Sequence, residues 1–127
     1  MGSSRPRPTD AELAILRVLW EHGPSTVRHV HEALADARET GYTTTLKLMQ
    51  IMADKGLVTR DESARTHVYA AAVNQEQTER QLVKDLMDRA FGGSAKALVL
   101  RALSDGTTLD ELREIRTLID DYREKRK

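Results

Sequence analysis

The chain has 127 residues, with 20 basic and 20 acidic side chains, and only 4% of its residues are aromatic. This length fits one domain, or one small domain with an appendage, and the few aromatic residues point to an aliphatic, mainly helical core. The absence of cysteine excludes disulfides, thiolate metal sites and a cysteine nucleophile. No signal region is visible and no stretch approaches the roughly 18 apolar residues of a membrane span, so we expect a cytoplasmic protein with no membrane partner.

The N-terminal part of the chain predicts two helices behind a short arm. Residues 1–8 are polar and contain two prolines, so we expect a flexible arm there. Thr9 and Glu12 form a T-x-x-E capping box, in which the two residues satisfy each other's backbone donors at a helix start. A second helix is expected after Ser25 or Thr26, because apolar residues then repeat at helical spacing.

A third helix, at about residues 43–55, separates its side chains onto two faces. At about 100° per residue, one face is suited to a core and the other is polar. The first face carries Thr45, Leu48, Met49 and Met52. The second face carries Thr43, Lys47, Gln50 and Asp54. The helix can therefore pack against a core while it presents hydroxyl groups and long hydrogen-bonding side chains to solvent.

Two short strands, residues 57–60 and 66–69, are predicted after this helix, joined by a polar hairpin turn. Arg60 and Arg65 flank that turn. Two helices joined by a turn and followed by a hairpin are the elements of a winged helix-turn-helix, with the hairpin as the wing. We therefore predict a mainly α fold, in which three helices and a two-stranded wing form a domain over residues 9–72.

Residues 73–127 predict three further helices with apolar stripes. This segment is too short to enclose a core alone, so we expect a second copy of the chain to cover the stripes. The C-terminal helices would then form the homodimer. The residues expected at the dimer contact are Leu98, Leu112, Ile115, Ile119 and Tyr122.

The sequence shows no arrangement of residues that is typical of a catalytic or metal site. His29 and His31 are two apart on a helix and point to nearly opposite faces, so they cannot chelate one ion. The sequence has no H-E-x-x-H motif, no phosphate-binding glycine loop and no dinucleotide fingerprint. We predict that the chain is not an enzyme and requires no cofactor or metal.

The polar face of the third helix favours a role in reading DNA. Short hydroxyls can bond phosphate or meet a thymine methyl, lysine can address guanine, and glutamine can pair with adenine in the major groove. Arginines beside a wing can grip phosphates. The candidate DNA contacts are Thr43, Thr44, Lys47, Gln50, Arg60 and Arg65. Net charge gives no support, because residues 1–70 hold nine basic and nine acidic side chains and residues 71–127 hold eleven of each.

Two other classes of function remain open on these residues. Winged helices also serve as modules that bind other proteins, and a ligand-sensing regulator could hold its effector between the C-terminal helices. The affinity for random duplex DNA at different salt concentrations separates a DNA reader from a protein-binding module. A DNA reader neutralises phosphates and releases counterions, so its affinity falls steeply as salt rises.

Four segments of the chain carry a resemblance to a known family. They are T-D-A-E-L-A-I-L-R-V-L-W (9–20), G-Y-T-T-T-L-K-L-M-Q-I-M-A-D-K-G-L-V (41–58), R-T-H-V-Y (65–69) and F-G-G-S (91–94). With these segments at this separation, the chain resembles the penicillinase-repressor (BlaI/MecI-type) family of transcriptional regulators. The resemblance runs from about Thr9 to Tyr122.

The resemblance implies a homodimeric bacterial repressor on a palindromic operator, often of β-lactam-resistance genes. It implies DNA contacts by the third helix at the threonine, lysine and glutamine positions already named, with Arg65 on the wing. It also implies an upstream, membrane-bound sensor protease that triggers cleavage of an Asn-Phe bond.

The chain departs from the family pattern at three places. Arg101-Ala102 stands where the Asn-Phe bond is found, so the same cleavage specificity is not expected. Ala64-Arg65 replaces a common glycine-arginine pair at the wing turn. The copper-responsive branch binds metal through C-terminal cysteines, and a chain without cysteine is excluded from it.

Overall fold

A computed structural model describes residues 7–35 and 40–126, so most of the predicted arm, residues 1–6, lies outside the described residues. The chain forms two compact units, one that ends at Leu82 and one that begins at Val83. The elements in chain order are α1 (Asp10–His22), β1 (Ser25–Thr26), α2 (Val27–Leu34), α3 (Tyr42–Lys55), β2 (Val58–Asp61), β3 (Val68–Ala71), α4 (Gln75–Ala90), α5 (Ala95–Leu103) and α6 (Leu109–Lys125).

The first two helices begin at hydrogen-bonded caps. The Thr9 hydroxyl accepts the backbone N–H of Glu12 at 3.2 Å, and the Glu12 carboxylate accepts the backbone N–H of Thr9 at 2.9 Å. The predicted capping box is therefore complete. Of the two candidate caps for α2, the one that acts is Thr26, whose hydroxyl accepts the backbone N–H of His29 at 3.1 Å.

The end of α3 depends on a glycine. Gly56 has φ of 84°, in the left-handed region, and its N–H bonds the carbonyls of Ala53 and Met52. A side chain at this φ would be strained, whereas glycine adopts it freely. The next residue, Leu57, still donates to Met52 at 2.9 Å, so the following strand begins only at Val58, one residue later than predicted.

The core of the first unit lies between α1, α2, α3 and the strands. Three of the four residues predicted on the inward face of α3 are buried, namely Thr45, Met49 and Met52, and the fourth, Leu48, is half-buried. In α1, Leu16 and Leu19 are buried, while Leu13 and Trp20 are half-buried. The largest buried side chains are Tyr69, Ile15, Leu16, Met49, Met52 and Leu57.

The sheet has a third strand that the predicted two-stranded wing lacks. Its order is β1-β3-β2 and both pairings are antiparallel. The two-residue β1 pairs Ser25 with Tyr69 and Thr26 with Val68. The wing hairpin itself is present, with Arg60 opposite Tyr69. Since β1 also leads directly into α2, it joins the base of the wing to the helix-turn-helix.

The second unit consists of the rest of α4 together with α5 and α6. Ser94 and Thr108 cap α5 and α6, each by accepting a backbone N–H three residues later. The single chain buries no residue of α4, α5 or α6. None of the described helices combines the length and apolar content needed to cross a bilayer.

Candidate nucleic-acid interface

The outer face of α3 carries four of the candidate DNA contacts together. Thr43, Thr44, Lys47 and Gln50 are all exposed. The opposite face of the same helix is buried in the core, which fixes the direction in which the outer face points. The structure therefore places these four side chains on one accessible surface, with the two hydroxyls in the first turn and the two longer side chains beyond them.

The C-terminal end of α3 is fixed to α1 by an ion pair. The Lys55 ammonium lies 2.8 and 3.0 Å from the two carboxylate oxygens of Glu12. The Glu12 side chain is 2% exposed and that of Lys55 is 33% exposed. Burial alone raises the pKa of the Glu12 carboxyl, but hydrogen bonds from Lys55 and the Thr9 backbone outweigh it, so the net pKa is lowered.

The two candidate arginines of the wing differ in the side-chain contacts that they make. The Arg60 guanidinium donates to the Glu62 carboxylate at 2.8 Å. Hydrogen bonds to Tyr69 and then to Glu62 raise the pKa of Arg60. Arg65 is exposed, and within residues 7–35 and 40–126 no ion pair or hydrogen bond engages its side chain. Arg65 is therefore the more accessible cation for a ligand.

One cluster beside this surface has no counterpart among the predicted site residues. The Arg28 guanidinium carbon lies 5.4 Å from the centre of the Tyr42 ring. The His31 ring meets the same ring edge-on, with centres 5.9 Å apart. Arg28 and His31 are three residues apart and so share a face of α2. That spacing is the only local signal, because the sequence does not show that Tyr42 would lie against this face.

The predicted dimer residues all retain exposure in the single chain. Leu112, Ile119 and Tyr122 are 38%, 51% and 68% exposed, and Leu98 and Ile115 are half-buried. Other large apolar side chains of the same unit are also exposed. They include Val83, Leu86, Val99, Leu100, Leu109 and Leu118.

The described residues contain no cluster of three or more His, Asp or Glu side chains placed to hold a metal ion. His22 and His29 do lie close, with ring centres 5.3 Å apart, but as an edge-to-face pair. In the same part of the chain, every buried side-chain nitrogen and oxygen atom has a hydrogen-bond partner.

Comparison with known proteins identifies the family. A family model described as penicillinase repressor matches residues 8–121. The chain belongs to the penicillinase-repressor family. A "Transcriptional regulator BlaI" of Mycobacterium tuberculosis is 32% identical over 108 residues, which cover 84% of this chain and 78% of the relative. A "Penicillinase repressor" of Bacillus licheniformis is 20% identical over 123 residues, 96% of each chain.

Solved structures match more than half of this penicillinase-repressor family member. The solution structure of the DNA-binding domain of the repressor BlaI has a TM-score of 0.51 at 22% identity, over 58% of this chain and 90% of that one. The monomeric form of Bacillus licheniformis BlaI, in complex with the blaP half-operator, has the same TM-score and identity, over 57% and 89%. These matches confirm the predicted winged-helix fold.

Family membership confirms two further predictions. The family consists of transcriptional repressors, so this chain is a transcriptional regulator of that type. For the same reason the chain is not an enzyme. The residues that touch DNA and those that join two copies stay predictions.

Proposed function

We propose that this protein represses transcription by binding double-stranded DNA as a homodimer on a palindromic operator. The observation that carries the proposal is the outer face of α3, which presents Thr43, Thr44, Lys47 and Gln50 together while its inner face is locked in the core. In a helix-turn-helix, the N-terminal residues of the second helix contact base edges in the major groove.

The four candidate side chains on the outer face of α3 each have a chemical role in binding DNA. The hydroxyls of Thr43 and Thr44 bond phosphate oxygens or contact thymine methyl groups at the groove edge. The Lys47 ammonium donates to guanine O6 or N7, and the Gln50 amide pairs with N6 and N7 of adenine. Arg65, and to a smaller extent Arg60, supply phosphate contacts from the wing that fix the register of α3.

The second half of the proposal is the dimer. Residues 9–72 form the DNA-binding domain and residues 73–127 the dimerisation region. Since the single chain buries no residue of α4, α5 or α6, a second copy supplies the missing cover. Burying a large apolar side chain contributes about 1.5–3 kcal/mol relative to leaving it exposed. The contacts run through Leu98, Leu112, Ile115, Ile119 and Tyr122.

Dimerisation gives the recognition surface its useful affinity. One α3 reads only a few base pairs, whereas two copies engage two half-sites, and the second engagement becomes effectively intramolecular. The operator is accordingly a palindrome whose half-sites lie on the same side of the duplex. The protein acts in the cytoplasm, because a repressor must reach the chromosome.

The regulated genes and the inducing partner complete the proposal. Genes of β-lactam resistance or related functions are the targets. The inducing partner is an upstream sensor protease whose cleavage specificity differs from that for an Asn-Phe bond, because Arg101-Ala102 stands at the matching position. The order of neighbouring genes tests this step, because a sensor-protease gene beside the gene for this chain would link the two products. A neighbourhood without one would remove the protease from the proposal and leave DNA binding intact.

Selection from a pool of random duplexes tests DNA binding itself. We expect enrichment of an inverted repeat. The logarithm of the binding constant should fall linearly with the logarithm of the salt concentration. A chain that enriches no sequence and binds no duplex would contradict the proposal and favour the protein-binding module. A chain that binds an operator but releases it on addition of a small molecule would favour the ligand-sensing regulator.

A further inference from the structure

The Tyr42 ring, at the start of α3, makes two contacts with side chains from one face of α2. Arg28 places its guanidinium carbon 5.4 Å from the ring centre, within the roughly 6 Å of a cation–π contact. His31 meets the ring edge-on at an interplanar angle of 84°. Tyr42 is the first residue of α3 and directly precedes Thr43 and Thr44. The charge of Arg28 therefore lies beside the first turn of α3, where the candidate DNA contacts begin.

No acidic side chain among the described residues pairs with the positive charge of Arg28. Its side chain is exposed and makes no ion pair or hydrogen bond with residues 7–35 and 40–126. Glu32 is four residues further along α2, at a spacing that allows an ion pair, yet the two side chains form none. By contrast, Arg80 is paired with Glu76 at 2.7 Å across the same spacing.

The contact with Tyr42 leaves the hydrogen-bonding edge of Arg28 available. A cation over an aromatic ring is attracted to the face of that ring, whereas the five N–H donors of a guanidinium lie in its own plane. A guanidinium whose in-plane donors are not engaged elsewhere can bind two oxygens of one phosphate. Lysine at the same position would supply the charge without the paired donors.

We propose that Arg28, oriented by Tyr42, binds a DNA phosphate beside the base pairs that α3 reads. The proposal deepens the proposed function and rests on it. The helix before the recognition helix crosses the DNA backbone in this class of fold, and Arg28 is the second residue of α2. Tyr42 is a positioning residue: it restricts Arg28 before binding and thereby reduces the entropy lost when the phosphate contact forms.

The test compares variants in duplex titrations over a range of salt concentrations. Arg28→Ala is expected to weaken binding to the selected operator and to random duplex alike, each by about tenfold. It is also expected to reduce the salt slope by about one. Arg17→Ala is the matched control, because it removes the same charge from an exposed position on α1. Arg28→Lys should keep the salt slope and lose part of the affinity.

Substitutions of Tyr42 test the positioning role. Tyr42→Leu should weaken binding less than Arg28→Ala does, and Tyr42→Phe should bind like the original chain. The double variant Arg28→Ala, Tyr42→Leu should bind no worse than Arg28→Ala alone, since Tyr42 acts through Arg28. Additive losses would overturn the positioning role.

The outcomes separate this inference from the proposed function. If Arg28→Ala matches Arg17→Ala while the original chain still binds its operator, the inference is wrong and the proposed function survives. A loss on the operator alone would make Arg28 a base contact and would also overturn the phosphate assignment. An original chain that binds no duplex at any salt concentration would overturn both.

Discussion

Glu12 and Lys55 connect the first turn of α1 to the last turn of α3. The Lys55 ammonium lies 2.8 and 3.0 Å from the two oxygens of a carboxylate that also caps α1. One buried carboxylate therefore starts one helix and fixes the end of the helix that carries the candidate DNA contacts. The ion pair therefore both stabilises the first unit and fixes the position of α3, whose outer face carries the candidate DNA contacts.

The first prediction concerns the stability that this ion pair provides. Glu12→Gln should lower the free energy of unfolding by about 2 kcal/mol near neutral pH, because a hydrogen-bonded buried charge is lost. The loss should stay moderate, since the Lys55 side chain is one-third exposed and regains water. Urea unfolding measures it. Glu21→Gln is the control, because that exposed carboxylate on α1 should change stability by less than about 0.5 kcal/mol.

The second prediction concerns the pH dependence of the same contribution. The folded structure lowers the pKa of Glu12, so its contribution is fully present above the pKa of the unfolded chain. It is lost as the pH falls through the lower, folded value. The difference in unfolding free energy between the original chain and Glu12→Gln should therefore shrink below about pH 4. A difference that stays constant down to acid pH would contradict the lowered pKa.

The third prediction concerns base reading by α3. Lys47→Ala and Gln50→Ala should each weaken binding to the operator by about 1–3 kcal/mol, with little change on random duplex. Both side chains are exposed, so the fold and the dimer should be unaffected. Lys96→Ala, which removes an exposed lysine from α5, is the control. Full sequence discrimination by both variants at fixed salt would mean that this face does not read bases.

The fourth prediction concerns the two arginines of the wing. Arg65→Ala should weaken binding to operator and random duplex equally and reduce the salt slope by about one, as expected for a phosphate contact. Arg60→Ala should have the smaller effect, because Glu62 already holds that guanidinium at 2.8 Å. Titrations of both variants on both duplexes measure the comparison. An Arg60 effect larger than that of Arg65 would show that the Glu62 pair opens on DNA.

The fifth prediction concerns the dimer. Ile115→Asp or Ile119→Asp should convert the protein to a monomer, leave the first unit folded and weaken operator binding by orders of magnitude. Sedimentation and circular dichroism measure assembly and folding. Thr117→Asp is the control, because it adds the same charge to α6 on the side away from the apolar stripe, at about 100° per residue. An original chain that sediments as a monomer and still binds a palindrome tightly would rule out this architecture.

Local patterns in the sequence determine the elements of this protein and the direction of its reading helix. The capping box at Thr9 and Glu12 needs only three residues of separation, and it forms as predicted. The division of α3 into a buried and an exposed face follows from helical spacing alone, because the helix geometry relates neighbouring turns directly. The family segments add the winged-helix fold, which the comparisons confirm.

Tertiary structure decides the contacts between elements that no local pattern relates. The strand β1 exists because Ser25 and Thr26 meet β3, and two residues are too few to carry a strand periodicity. Glu12 is predictable as a cap, but its pairing with Lys55 depends on how α1 docks against α3. The placement of Arg28 against Tyr42 likewise depends on the angle between α2 and α3. Sequence spacing fixes which residues share a face, whereas only the packing of the core determines what that face meets.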